Sequence, residues 1–174
     1  MRMPVFLALF LALLLVDAQL SVDYYGLTCP HVEDIIKDVM ARKQAANPTT
    51  AAGVLRIFFH DCFADGCDAS VLITSTAYHK AERDADVNLS LSGDGFDAMN
   101  RAKTAVEAKC PGIVSCADIL AIATRDLLNL VGGPYYNVTK GRRDGRVSDA
   151  WRVSGNLPLP SMSVDELNAL FASR

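Results

Sequence analysis

Histidine is scarce in this chain, with three among 174 residues, and none follows His79. Tryptophan occurs once, and aromatic residues make up 7% of the sequence. Positive charge is not in excess: 17 Lys and Arg face 20 Asp and Glu, for a formal net charge of −3. That balance leaves no electrostatic footprint for a nucleic acid or an anionic membrane surface as partner. Past residue 16 no apolar run approaches the roughly 20 residues of a membrane-spanning helix. Internal repeats, low-complexity tracts and flexible linkers are also missing. What remains is 51% hydrophobic and 21% charged, which excludes a disordered chain and suffices for one domain with a real core.

The one skewed segment lies at the start. Val5 to Val16 is an unbroken apolar run preceded by Arg2, and Val16-Asp17-Ala18 supplies small residues at cleavage spacing. Residues 1–18 read as a secretory signal peptide, too short to span a membrane. The mature chain would begin at Gln19 and be exported. All five cysteines (Cys29, Cys62, Cys67, Cys110 and Cys116) lie in that part. Export favours pairing, and an odd number leaves one thiol over. Spacing alone does not choose among the connectivities. Zinc at His60, Cys62 and Cys67 is a poor reading, because no second ligand pair follows at zinc spacing.

Periodicity is helical almost throughout, so the fold class reads as all-α. Val32, Ile35, Ile36, Val39 and Met40 mark one amphipathic helix, with Pro30 in its first turn and Asn47-Pro48 at its end. A second helix covers about 50–62, and residues 63–95 are loop-like. A third spans about 96–109. Ser115 and Asp118 have capping-box spacing for a fourth, reaching Val131 before Gly132-Gly133-Pro134. Residues 135–147 have room for one short hairpin, and 156–160 must be extended because of Pro158 and Pro160. Ser163 and Glu166 open a last helix that carries Leu167, Leu170 and Phe171 but meets no stop signal.

Chemistry concentrates between residues 55 and 70. Arg56, Phe59 and His60 share one helix face at i, i+3 and i+4. A fixed cation beside an imidazole suits acid–base work, although such pairs also occur on ordinary helix surfaces. Asp61, Asp68 and Ser70, with carbonyls near Ala64 and Gly66, form an oxygen-dense stretch. It suits either a calcium ion or a plain polar loop.

The run Leu55-Arg56-Ile57-Phe58-Phe59-His60-Asp61-Cys62-Phe63-Ala64-Asp65-Gly66-Cys67-Asp68-Ala69-Ser70 strongly resembles the distal signature of the secretory plant (class III) haem peroxidases. Glu82-Arg83-Asp84-Ala85, Asn88, Val114-Ser115-Cys116-Ala117-Asp118, Gly141-Arg142-Arg143-Asp144-Gly145 and Asn156-Leu157-Pro158 also look like family segments, in family order. The resemblance implies a haem-peroxidase-like distal domain that reduces hydrogen peroxide and oxidises phenolic or aromatic donors. It implies haem b and one distal calcium as cofactors. By this likeness His60 is the acid–base group, Arg56 stabilises the departing oxygen's charge, Phe59 restricts access beside the haem, and Asn88 orients His60. Asp61, Ala64 (carbonyl), Gly66 (carbonyl), Asp68 and Ser70 match calcium ligands, Glu82 reaches the ion through water, and Pro158 meets the reducing substrate. The family pairing is Cys29–Cys110 and Cys62–Cys67. The implied protein is a secreted monomer of the cell wall, apoplast or vacuole.

Other residues take structural readings. Asp118 and Arg142 match a buried ion pair, Trp151 reads as core, and His31 and His79 read as solvated. Asn137-Val138-Thr139 is a glycosylation sequon, and Asn88-Leu89-Ser90 is a second one that conflicts with a buried Asn88. The family's iron-holding histidine lies in its second half, and no histidine here matches it. With the odd cysteine and the unstopped last helix, this suggests that residues 19–174 are the distal half of such a domain, truncated before the proximal half. The competing reading is a non-catalytic, calcium-binding secreted fragment.

Overall fold

In the computed structural model the described residues are 19–173. The signal-peptide reading of residues 1–18 lies outside them. Four long helices dominate: α1 (Val32–Ala46), α2 (Thr50–Ala64), α3 (Gly93–Glu107) and α4 (Cys116–Leu130). The short α5 (Ala150–Val153) and then α6 (Val164–Ala172) follow. No strand forms among the described residues. Residues 135–147 have room for a short hairpin but make none, and their single bridge joins Lys140 to Ser21. The reason is visible in their partners. Lys140 is buried and pairs with Glu33, while the Gly141 N–H donates to Asp118 at 2.6 Å. The segment spends its polar groups on the helices rather than on itself.

The core forms where α1 and α2 each pack against α3 and α4. α4 is the central element and buries Ile119, Leu120, Ile122 and Leu127. α1 contributes Val32, Ile36, Val39 and Met40, which is the stripe its periodicity requires. It starts at Val32 with His31 as its N-cap, so Pro30 precedes the helix instead of occupying its first turn. A turn held by the Cys29 N–H donating to the Tyr25 carbonyl takes that place. Gly53 and Gly95 let α2 and α3 approach closely, since a Cβ on Gly95 would sit 2.7 Å from Ile57.

The start of α4 is only half a capping box. Ser115 Oγ accepts from the Asp118 N–H at 3.1 Å, but the Asp118 carboxylate does not reach back. It is fully buried and taken by the Tyr25 hydroxyl, the Gly141 N–H and Arg142 Nη1 at 3.2 Å. Asp144 supplies the remaining cap, accepting from the N–H groups of Cys116 and Ala117. α6, by contrast, carries the full reciprocal box between Ser163 and Glu166. It buries none of its residues fully, and the Phe171 ring lies 4.9 Å from that of Phe63. Trp151, expected in the core, is 72% exposed, because α5 turns Val153 inward instead.

Candidate functional site

α2 presents Arg56, Phe59 and His60 on one face, as their spacing requires. His60 is buried and tied twice. Its Nδ1 lies 2.6 Å from Asn88 Oδ1, and its Nε2 lies 3.3 Å from Arg56 Nε. These partners fix the tautomer. Asn88 Nδ2 donates to the Glu82 carbonyl at 2.8 Å, so the Asn88 oxygen must face the histidine as acceptor. Arg56 Nε can only donate, so Nε2 must offer its lone pair. Nδ1 therefore carries the proton, and Nε2 is the basic nitrogen. Burial pushes the imidazole pKa down, the Asn88 bond opposes that, and the Arg56 charge lowers it further. The net direction is downward, so the ring is neutral and available as a base near neutral pH.

Arg56 is held by the segment that follows Asn88. Its Nη1 donates to the Ser90 carbonyl at 3.0 Å and its Nη2 to Ser90 Oγ at 2.8 Å. Nothing in the sequence marks Ser90 as a partner of Arg56; only the turn that carries it past Asn88 places it there. Phe59 packs beside His60 and against Phe63, with ring centroids 4.4 Å apart. Phe171, from α6, adds a third ring that spacing along α2 could not reveal. Leu157 packs in the same small cluster as Phe59 and Phe63, which brings Pro158 to this end of the molecule. Surface clefts lie along α1 and α3 and beneath Tyr24, and a smaller one is lined by Arg56, Ser90 and Ser92.

Behind His60 the backbone wraps around a second cluster. Asp61 is buried and accepts from the N–H groups of Ala69 and Val71. Ser70 Oγ donates to Glu82 Oε2 at 2.9 Å. The other carboxylate oxygen, Glu82 Oε1, is buried without a hydrogen bond. Burial pushes Asp61 up to about 7, with repulsion from Asp68 and Glu82 adding to it. Burial likewise pushes Glu82 up to about 7, again with repulsion from Asp68. Buried carboxylates pushed up in this way, one with an unpaired oxygen, form an oxygen-rich pocket short of a countercharge. Among the described residues no three His, Cys, Asp or Glu side chains gather as metal ligands by themselves. A cation here would therefore need the serine and carbonyl oxygens as well. Of the expected carbonyls, that of Ala64 accepts from Asn156 Nδ2 at 3.2 Å and that of Gly66 from the Asp68 N–H at 3.0 Å.

The disulfides are Cys29–Cys110 and Cys62–Cys67, and Cys116 stays free. Burial first, then Asp144, raises the Cys116 thiol pKa, which disfavours the reactive thiolate. His31 is exposed. His79 is only half so, since its Nε2 lies 2.7 Å from the Ser148 carbonyl and 2.9 Å from Asp149. Asp118 and Arg142 do form an ion pair.

The family model described as Peroxidase matches residues 35–174. Peroxidase 63 of Arabidopsis thaliana is 57% identical over 91% of this chain and 48% of its own length. Peroxidase 31 of the same plant is 55% identical over 95% of this chain and 52% of its own. Peroxidase 55 is 58% identical over 90% and 47%. The chain thus spans about half the length of the curated relatives it matches. It belongs to the peroxidase family.

Proposed function

We propose that residues 19–174 are the distal, peroxide-handling half of a secreted haem peroxidase acting on hydrogen peroxide and phenolic or aromatic donors. One observation carries this reading: the Glu82–Asn88–His60 chain that leaves His60 Nε2 basic, with Arg56 beside it. His60 Nε2 accepts the proton of the entering peroxide, whose O–H replaces the Arg56 N–H at that nitrogen. It then returns the proton to the departing oxygen, so that water leaves. Arg56, once released, places its charge against the oxygen that becomes negative. Asn88 keeps Nδ1 protonated through both transfers. Phe59 and Phe63 wall the approach, and Pro158 lies at the edge where a donor would arrive.

Haem iron supplies the electrons that cleave the O–O bond in this family. The residues present do not fit the task of holding it. His60 is committed to Asn88, His31 to Asp34 at the surface, and His79 to Ser148 and Asp149. The chemistry open to this chain's own side chains is therefore proton handling alone. Calcium does fit: Asp61, Asp68, Ser70 and the Ala64 and Gly66 carbonyls would hold it, with Glu82 behind them. Its role would be to fix the end of α2, since Asp61 adjoins His60.

The test is a chimera in which residues 19–174 replace the matching half of Peroxidase 63. The chimera should reduce peroxide, and His60→Ala should slow that reaction by about 10²–10⁴-fold. A near-normal rate in the variant would remove His60 from its role.

A further inference from the structure

Three Asn-x-Ser/Thr triplets occur in the described chain, and the structure sorts them. Asn47-Pro48-Thr49 has proline in the middle, which bars it as an acceptor. Asn88-Leu89-Ser90 is a valid sequence in an unusable place. Asn88 is 1% exposed, its Nδ2 donates to the Glu82 carbonyl, and its Oδ1 takes the His60 contact. Ser90 Oγ is engaged by Arg56. A sugar on Asn88 Nδ2 would displace the Glu82 bond and has no room in the fold.

Asn137-Val138-Thr139 differs at every point. Exposure alternates along this segment: Asn137 and Thr139 face solvent, while Val138 and Lys140 are 5% and 3% exposed. Alternation of this kind puts the acceptor amide and the hydroxyl two residues on together on one outer face. The Asn137 side chain makes no hydrogen bond among the described residues, so modification costs the fold no such bond. Val138 and Lys140 anchor the segment from beneath, and Lys140 is held by Glu33. Tyr135 and Tyr136 beside it are 59% and 42% exposed, leaving open surface for a bulky group.

We propose that Asn137 carries an N-linked glycan and that Asn88 does not. The donor is a lipid-diphosphate oligosaccharide. A bond forms between Asn137 Nδ2 and the first sugar's anomeric carbon, the bond from that carbon to the diphosphate oxygen breaks, and the amide proton is lost to the medium. No redox step is involved. The proposal rests on the export half of the functional reading and not on the peroxidase half.

The experiment expresses the full chain in a eukaryotic secretory host, with its own residues 1–18 in one arm and a host leader in their place in the other. Membrane-enclosed and secreted chains are both collected. Mass spectrometry before and after amidase release of N-glycans reads each asparagine. The expected result is one glycan, with the conversion to aspartate found at position 137. Asn137→Gln and Thr139→Ala should abolish the mass shift, and Thr139→Ser should retain it. If only the host-leader arm carries the sugar, the site stands and export by the chain's own leader falls. An unmodified Asn137 in the enclosed chain, or a glycan on Asn88 in folded secreted protein, would overturn the proposal.

Discussion

Removing each disulfide in turn should separate stability from local positioning. Cys29–Cys110 closes a loop with a sequence separation of 81, and Cys62–Cys67 one of 5. In the chain-entropy model the first restrains the unfolded state by about 4.5 kcal/mol and the second by about 2 kcal/mol. With a urea slope of about 2 kcal/mol per M, Cys29→Ala/Cys110→Ala should lower the midpoint by about 2 M, and Cys62→Ala/Cys67→Ala by about 1 M. The slope should also rise more in the long-loop variant, because its unfolded chain expands further. The assay is urea unfolding under non-reducing conditions, followed by far-ultraviolet circular dichroism. A long-loop variant already unfolded without urea agrees with the larger figure. Equal losses, or a larger loss from the short loop, would refute the reasoning. The short bridge has a different consequence. It pins the turn that follows His60 and Asp61, so its removal should weaken calcium binding more than removal of the long bridge does.

Other outcomes follow from the same contacts. Calcium at 100 times its dissociation constant should stabilise the chain by about 2.7 kcal/mol, and Asp61→Ala should abolish that increment in a thermal-shift titration. Gly145→Ala should weaken calcium binding, because its Cβ would collide with the Asp68 carboxylate; isothermal titration reads the change. Glu33 offers a pH test. Burial raises its pKa, but hydrogen bonds from Lys140 and Arg125 outweigh that and hold it below the ordinary glutamate value. A depressed acid stabilises above its unfolded pKa and loses that contribution as pH falls through the folded one. The stability gap between wild type and Glu33→Gln should therefore hold near pH 7 and close on acidification below about 4.3; urea midpoints across pH measure it.

Local spacing accounts for much of the site. Arg56, Phe59 and His60 fall together because a helix repeats every 3.6 residues, and the stripe on α1 marks its buried face for the same reason. The capping box at Ser163 and Glu166 is local chemistry that the sequence spells out. Less visible is anything set by distant partners. Asp118 has capping-box spacing but is drawn inward by Tyr25, Gly141 and Arg142, which come from remote segments. Ser90 and Phe171 reach the His60 face by tertiary packing, so no period along α2 announces them. Trp151 misleads because a large apolar side chain usually signals burial, yet a four-residue helix can bury only one of its faces, and here that face carries Val153.

At the centre of the functional reading, Asn88 sets His60 as a base through Nε2. The most direct measurement is the ¹⁵N spectrum of the His60 ring in the labelled chain. The expected spectrum is that of a neutral imidazole with its proton on Nδ1, changing when Asn88 is replaced by alanine. A proton on Nε2, or a spectrum indifferent to Asn88→Ala, would contradict it.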